Sequence, residues 1–471
     1  MLDESFEHLA AQYVALLARS IPQENISLVF SSLLCARSPD LGLIWHSGYR
    51  KKHINQLIVK GLWSVISGLV EGFARLSTNF RSFGYALYGK INDTILVVSL
   101  SCGSEASDGQ FKTQYIPTQI DDAIFVFGTT DRFKQKTHRV KKLTFKDKSR
   151  INFFLIKGGI TAFLKLRGNV LEKNLLLLEW LSWALSLKWL NNYYFEKSLS
   201  DAVERHPVKK IGCIHEMHAY ARIVWRIAFK YGLKSYTIQH AAITAGKRWY
   251  FCYPEEKVSG AMLPEVMYVY EDKIANLLRP YFENTKFILG CSYRYAHWKD
   301  VRSIKKQKGK YYLFVGALPE FDNQVLIASL KKLLNSAKEE IPIRVRLHPL
   351  AKLSGSDREW LRVKIRQNII QASKGISLRT DIEQALVVIG MSTTVLEEAL
   401  LMACPVVQLT HSDYLEYIDL NGIEGVIKKD YQGLLLADLI ALKDAEVNHE
   451  QARSRLGLGQ PLVTYQGLFL S

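Results

Sequence analysis

Short apolar runs rich in branched and aromatic residues alternate with segments whose apolar positions return every three or four residues. Toward the C-terminal end the runs are "YYLFVGAL" from Tyr311, "IRVRLHP" from Ile343, "ALVVIG" from Ala385 and "CPVVQL" from Cys404, separated by helical-period stretches at Gln324–Ala337 and Asp357–Ser373. Alternation of this kind predicts a parallel sheet with helices on both faces, so residues 305–471 read as a Rossmann-like unit. Similar strands occur earlier, "ISLVFSSLL", "TILVVSLS", "AIFVFG", "KIGCIHE" and "SYTIQH", and predict a second α/β unit over residues 1–300 with a helical insertion near 151–200. The fold class is therefore α/β, with two Rossmann-like units.

Length agrees with two units. The chain has 471 residues, and single cores stop growing at about 250–300. Basic stretches at Val140–Arg150 ("VKKLTFKDKSR") and Ser303–Lys310 ("SIKKQKGK") lack apolar periodicity and read as exposed connections, the second dividing the units. The most apolar segment, Asn174–Phe195, contains Glu179 and Lys188 and so offers no run of about 20 apolar residues for a membrane span. Its tryptophans suit either a buried amphipathic helix or a membrane interface. No low-complexity tract or internal repeat interrupts the pattern.

Charge adds a bias without choosing a partner. The formal charge of +17 suits phosphate ligands, a membrane face or nucleic acid. Six scattered cysteines without a CxxC pair argue against a zinc framework or disulfide scaffold and point to a reducing compartment. The N-terminal twenty residues lack a basic region followed by an apolar core, and no signal peptide is expected.

Candidate chemistry sits where apolar runs end, because ligands of open parallel sheets gather beyond the carboxyl ends of the strands. After "ALVVIG" come Ser392, Thr393 and Thr394 at a predicted helix start, where unpaired N–H groups and hydroxyls can seat a phosphate or simply cap the helix. Glu397 and Glu398 follow within a turn and could reach a ribose hydroxyl. "RVRLHP" brings His348 to a strand end behind Arg346, in position to donate to a phosphate oxygen or to move a proton. In the N-terminal unit, Glu216 follows "KIGCI", a helix intervenes, and the next strand closes at Gln239–His240, so consecutive parallel strands carry Glu216 and His240 to one sheet edge. His215 and His218 flank Glu216 without a further ligand at metal-site spacing, and no metal is expected.

The order of these features, Glu216, "YTIQHA", "LPEVMYVYED", "FILGCSYRY", a basic linker, "YYLFVGALPE", "RVRLHP" and "GMSTTVLEEALLMACPVV", resembles bacterial surface-polysaccharide glycosyltransferases of the GT-B fold over roughly residues 210–410. Related patterns occur in sialyl- and Kdo-transferases with an HP motif and in CDP-glycerol glycerophosphotransferases. The resemblance implies a nucleotide-sugar donor as substrate, no cofactor, a glycan or lipid-linked acceptor, inversion without a metal, and no nucleic-acid partner. It makes His348, Ser392, Thr393 and Thr394 the donor phosphate contacts, with Glu397, Glu398, Arg346 and Gln239 on the donor side. The acid-acid-glycine motif of the sialyltransferase relatives has a partial counterpart in "EASDG", so Asp108 stands beside Glu216 as a candidate base, with His240 orienting substrate. Where those relatives carry QHG, this chain has Gln239-His240-Ala241. A glycerophosphotransferase and a nucleotide-sugar epimerase are the alternative activities. The implied location is cytoplasmic, extending to the inner face of the plasma membrane, where the basic surface would meet anionic lipid.

Overall fold

A computed structural model of the chain describes residues 4–22, 54–77, 83–88, 95–99, 103–105, 111–113, 123–129, 137–213, 219–247, 250–258, 262–291, 295, 298, 309–318, 320–337, 339–349, 351–412 and 416–460. Two large sheets organise it. The strands of the first half are β1 (Phe83–Tyr88), β2 (Ile95–Ser99), β3 (Gly103–Glu105), β4 (Phe111–Thr113), β5 (Ala123–Thr129), β6 (His138–Arg139), β7 (Lys210–Cys213), β8 (Lys234–Ile238), β9 (Val266–Val269) and β10 (Lys286–Leu289). Apart from the small β3–β4 ladder, they form one sheet in the order β10-β9-β8-β7-β2-β5-β1-β6. The run from β10 to β5 is parallel, and β1 adds antiparallel to β5. The expected strand "ISLVFSSLL" and the expected boundary near 300–305 lie outside the described residues.

The second half supplies β11 (Tyr311–Val315), β12 (Ile343–Arg346), β13 (Gln371–Ala372), β14 (Ala385–Gly390), β15 (Val406–Thr410) and β16 (Val426–Asp430). All pair in parallel in the order β13-β12-β11-β14-β15-β16. Successive strands grow outward on one side of β11 and then on the other, which is Rossmann topology with its switch point between β11 and β14. Burial follows from that placement. Every residue of β11 is buried, as a parallel strand covered on both faces requires.

Fourteen helices cover the described parts of the sheets and the insertion. They are α1 (Glu4–Ser20), α2 (Ile54–Ser77), α3 (Phe145–Lys165), α4 (Val170–Leu185), α5 (Trp189–Arg205), α6 (Ala219–Lys230), α7 (Pro254–Val258), α8 (Asp272–Leu278), α9 (Glu320–Ser336), α10 (Gly355–Arg366), α11 (Leu378–Glu383), α12 (Val395–Leu401), α13 (Leu436–Leu442) and α14 (His449–Arg455). The insertion is real and consists of α3, α4 and α5. Asn174–Phe195 is not one helix: the chain breaks between α4 and α5 at Leu187, which adopts φ 55°. Trp180 and Trp189 are 1% and 0% exposed, packed with Phe6, Tyr13 and Leu155, so core packing accounts for them. Among the described residues no helix is long and apolar enough to cross a membrane.

The basic stretch Val140–Arg150 is an exposed connection as far as Thr144 and helical beyond it. Thr144 accepts from the Asp147 N–H and Asp147 reaches back to the Thr144 N–H, a capping box that starts α3 within that stretch. The two sheets share a core. Met267 and Val269 of β9 belong to one apolar cluster with Phe314, Val345 and Ile389 of the second sheet. The chain also returns after α14: a Cβ on Gly457 would lie 3.1 Å from the Gly290 carbonyl and 3.2 Å from the Tyr270 Cα, so this segment rests on the edge of the first sheet.

Candidate active site

Topology alone nominates two sheet edges. In the first sheet the parallel strands reverse their direction of growth between β2 and β7, whose register pairs Val98 with Cys213. The chain leaves β2 toward the segment containing Asp108 and leaves β7 toward Glu216. Both residues lie outside the described residues, as do His215 and His218, so the strands that precede them are what the structure supplies. β8 runs parallel beside β7, and His240 follows its end in a half-buried position.

In the second sheet the switch point is built more completely. Gly390 ends β14 against β11, where a Cβ would stand 2.8 Å from Val315 Cγ2 and 3.1 Å from the Val315 carbonyl, so only glycine lets the two strand ends meet. The turn Met391–Thr394 then enters α12. Thr394 is the N-cap residue but makes no side-chain capping bond. Thr393 is buried and accepts weakly from the Val395 N–H at 3.4 Å, while Ser392 accepts from the Tyr417 N–H at 3.2 Å. The sequence expectation rested partly on a helix dipole, yet α12 has only seven residues, and the turn's place in the crevice carries more weight.

Beneath this turn lies Asp322, in the first turn of α9 and 2% exposed. Neither carboxyl oxygen has a hydrogen-bond partner. Burial pushes its pKa up to about 8, opposed in part by the nearby Ser392 backbone N–H. The group is therefore protonated at neutral pH and adds no negative charge under the turn. Sequence reasoning missed it, because an acid in a first helical turn ordinarily faces solvent and complements the helix dipole. The adjacent Asn323 holds the β11–α9 loop, accepting from the Ala317 N–H at 3.0 Å and donating to the Ala317 carbonyl at 2.9 Å.

His348 follows β12 and is exposed. β12 and β14 flank β11, so His348 and the Ser392–Thr394 turn leave strands two positions apart, about 10 Å across the sheet. Arg346 does not join them. Its guanidinium lies 2.6 Å from Asp381 Oδ2 and donates to the Ile376 carbonyl at 2.9 Å, while Arg344 lies 3.2 Å from Asp381 Oδ1 and stacks on Tyr311 at 3.9 Å. Asp381 is fully buried. Arg346 thus joins β12 to Asp381 of α11.

Gln239 is also occupied. Its Oε1 accepts from the Tyr270 N–H and its Nε2 donates to the Ala241 carbonyl, both at 3.0 Å, fastening the end of β8 to the end of β9. From this fastening the chain continues as Ala242–Ala245, and Thr244 donates to the Glu416 carbonyl at 2.7 Å, linking the edge of the first sheet to the loop after β15.

Between these elements lies a cavity of about 390 Å³, within the range of small-ligand sites. Its lining includes Gln239 and Ala242–Ala245, Ile274 and Leu277 of α8, Glu397 and Leu400 of α12, Asp419, Leu420, Ile423 and Arg455. Most of the lining is apolar, with charge confined to a few groups. Lys273 pairs with Asp419 at 3.2 Å, and Arg455 donates to the Asp419 carbonyl at 3.0 Å. Burial pushes the Glu271 carboxyl up, with Arg455 and Lys273 pulling the other way. Glu397 is 4% exposed and accepts from the Tyr295 hydroxyl at 2.7 Å, which fixes one carboxylate oxygen. Glu398 is half-buried. Of the residues nominated from sequence, Gln239 and Glu397 line the cavity; His240, His348 and Ser392–Thr394 are outside its lining. Among the described residues no group of three or more His, Cys, Asp or Glu side chains is arranged to hold a metal.

No protein-family model matches the chain, and neither does any curated protein. Solved structures similar to parts of it include UDP-GlcNAc 2-epimerase from Neisseria meningitidis bound to UDP-GlcNAc, at 14% identity and TM-score 0.33, covering 47% of this chain and 64% of that one. UDP-GlcNAc 2-epimerase from Methanocaldococcus jannaschii aligns at 12% identity and TM-score 0.39, covering 57% and 80%. The pneumococcal O-GlcNAc transferase GtfA in complex with UDP and GlcNAc aligns at 13% and 0.33, covering 59% and 54%. The chain spans less than two thirds of the Neisseria enzyme, and 57% of the matched chain of a GtfA/B complex. The observed strand order, with two Rossmann-like sheets and a cavity between them, is the GT-B type of architecture expected from the sequence.

Proposed function

We propose that the protein is a GT-B glycosyltransferase that moves a sugar from a nucleotide-activated donor to a glycan or lipid-linked acceptor, with inversion and without a metal. The observation that carries the reading is the place of the Ser392–Thr394 turn, at the β11–β14 switch point and above the buried Asp322. A hydroxyl-rich turn in that crevice is where a phosphate would lie, and a carboxyl that burial holds toward its neutral form spares that phosphate a like-charge neighbour. His348, from the strand on the far side of β11, donates to the same nucleotide phosphate as the leaving group gathers charge.

The apolar cavity receives the uncharged part of the donor, with Glu397 in its lining accepting from a sugar or ribose hydroxyl. Glu398 supports it from the same turn. A carboxylate from the first sheet's edge, Glu216 before Asp108, removes the acceptor proton, a step worth about 10²–10⁴-fold. His240, which follows the end of β8, orients the substrate.

Incubation with nucleotide-sugars in the presence and absence of acceptor tests this. Transfer that requires acceptor is the expected result. Conversion of the donor to an epimer without acceptor would replace this reading with the epimerase, and release of glycerol phosphate from CDP-glycerol would replace it with the phosphotransferase.

A further inference from the structure

α2 presents two unlike faces. On one side Gly61, Gly68 and Gly72 lie along α4, so closely that a Cβ on Gly68 would stand 2.9 Å from the Ser182 carbonyl and one on Gly72 2.0 Å from the Leu185 carbonyl. This glycine seam fixes how the helix sits. On the other side Val59, Leu62, Trp63, Ile66 and Val70 are between 50% and 68% exposed, at the three- and four-residue spacing of one helical face. The helix cannot roll that face inward, because only its glycine side fits against α4.

α3 also packs on α4 and carries a mixed outer face. Lys146, Arg150, Phe153, Lys157, Ile160 and Leu164 fall on one stripe, with Phe153 60% and Leu164 73% exposed. From Thr137 to Arg167 there are nine basic residues and one acid, Asp147. A groove of about 800 Å³ beside the start of α3 is lined by seven basic residues, Lys141 and Lys142 among them, against three acids, Asp147, Asp201 and Glu204.

We propose that α2 and the outer face of α3 form a docking surface for an anionic lipid bilayer. A contiguous apolar face of this size is unfavourable in water and marks a surface that something covers. Cations interleaved with aromatic and aliphatic side chains match a bilayer interface, whose acyl boundary takes the apolar groups while anionic headgroups meet Lys and Arg. A second copy of this chain on the same face would set the basic stretches against each other, which like-charge repulsion opposes. α2 spans about 36 Å along its axis, long enough to lie flat across several headgroups. The surface is independent of the reaction at the cleft.

Vesicle flotation of the full chain tests the proposal, comparing phosphatidylcholine with phosphatidylcholine containing roughly 30% phosphatidylglycerol. The expected result is flotation with the anionic vesicles, weakened by salt. Trp63→Glu with Ile66→Glu should reduce partitioning about tenfold or more. Lys141→Glu with Lys142→Glu, on exposed side chains in the loop before α3, should reduce it comparably, with the melting temperature unchanged. Absence of flotation at low salt, or variants that float as the parent does, would overturn the proposal. So would loss of a dimer in sedimentation velocity on Trp63→Glu while vesicle partitioning stays the same.

Discussion

Asp322 keeps a proton at neutral pH because its carboxyl is buried without a partner, and a charged carboxylate there would be costly. Unfolded, the group would titrate near its ordinary 3.8; folded, it titrates at about 8. The native state therefore holds a proton that the unfolded chain releases between those values. Its stabilising effect is complete below about pH 4 and declines as pH rises toward 8, then levels off. Asp322→Asn keeps the shape without the charge, so calorimetry should find a melting temperature close to the parent's near pH 4 and above it near about pH 8.5. Equal shifts at both pH values would mean that Asp322 is ionised in the fold. At this scale the sequence was informative where chemistry is local. The Ser392–Thr394 turn and Glu397 stood out because they follow a strand directly, whereas Asp322 owes its burial to a turn far along the chain. The pairing of Arg346 was hidden for the same reason: its partner Asp381 comes from a helix that follows β13, the strand beside β12.

The Arg344–Asp381–Arg346 cluster ties one strand to one helix. Removing a buried carboxylate from between two arginines strands both charges, so Asp381→Ala should cost about 3 kcal/mol in urea unfolding. A loss within experimental error of zero would show that water satisfies the arginines instead. Elements with strong periodicity were legible in sequence, including β7, β8, β11, β12, β14 and β15. α2 was not, since glycine weakens helix propensity and its three glycines obscure the apolar stripe they help to orient. The start of α3 was hidden by charge, although Thr144 and Asp147 carry a capping-box signature. β1 pairs antiparallel at the far side of the first sheet, and nothing in an alternating pattern specifies that partner.

Across the whole molecule, the two sheets meet through a shared core and enclose a cavity whose walls come from both halves of the sequence. Alternation of strands and helices foretold two Rossmann-like units. It could not foretell that Thr244 would bond to the Glu416 carbonyl, or that the segment after α14 would return to the first sheet. Such contacts depend on how the units face each other, and local pattern does not encode that. The central claim is that a nucleotide-sugar phosphate sits at the β11–β14 switch point. Calorimetric titration with CMP, CDP, UDP, GDP and dTDP, on the parent and on Ser392→Ala and His348→Ala, tests it most directly. The account predicts that one nucleotide binds the parent and that each variant binds it about tenfold or more weakly, as loss of a hydrogen bond to a charged group entails. Binding of none of the five, or undiminished binding by both variants, would contradict it.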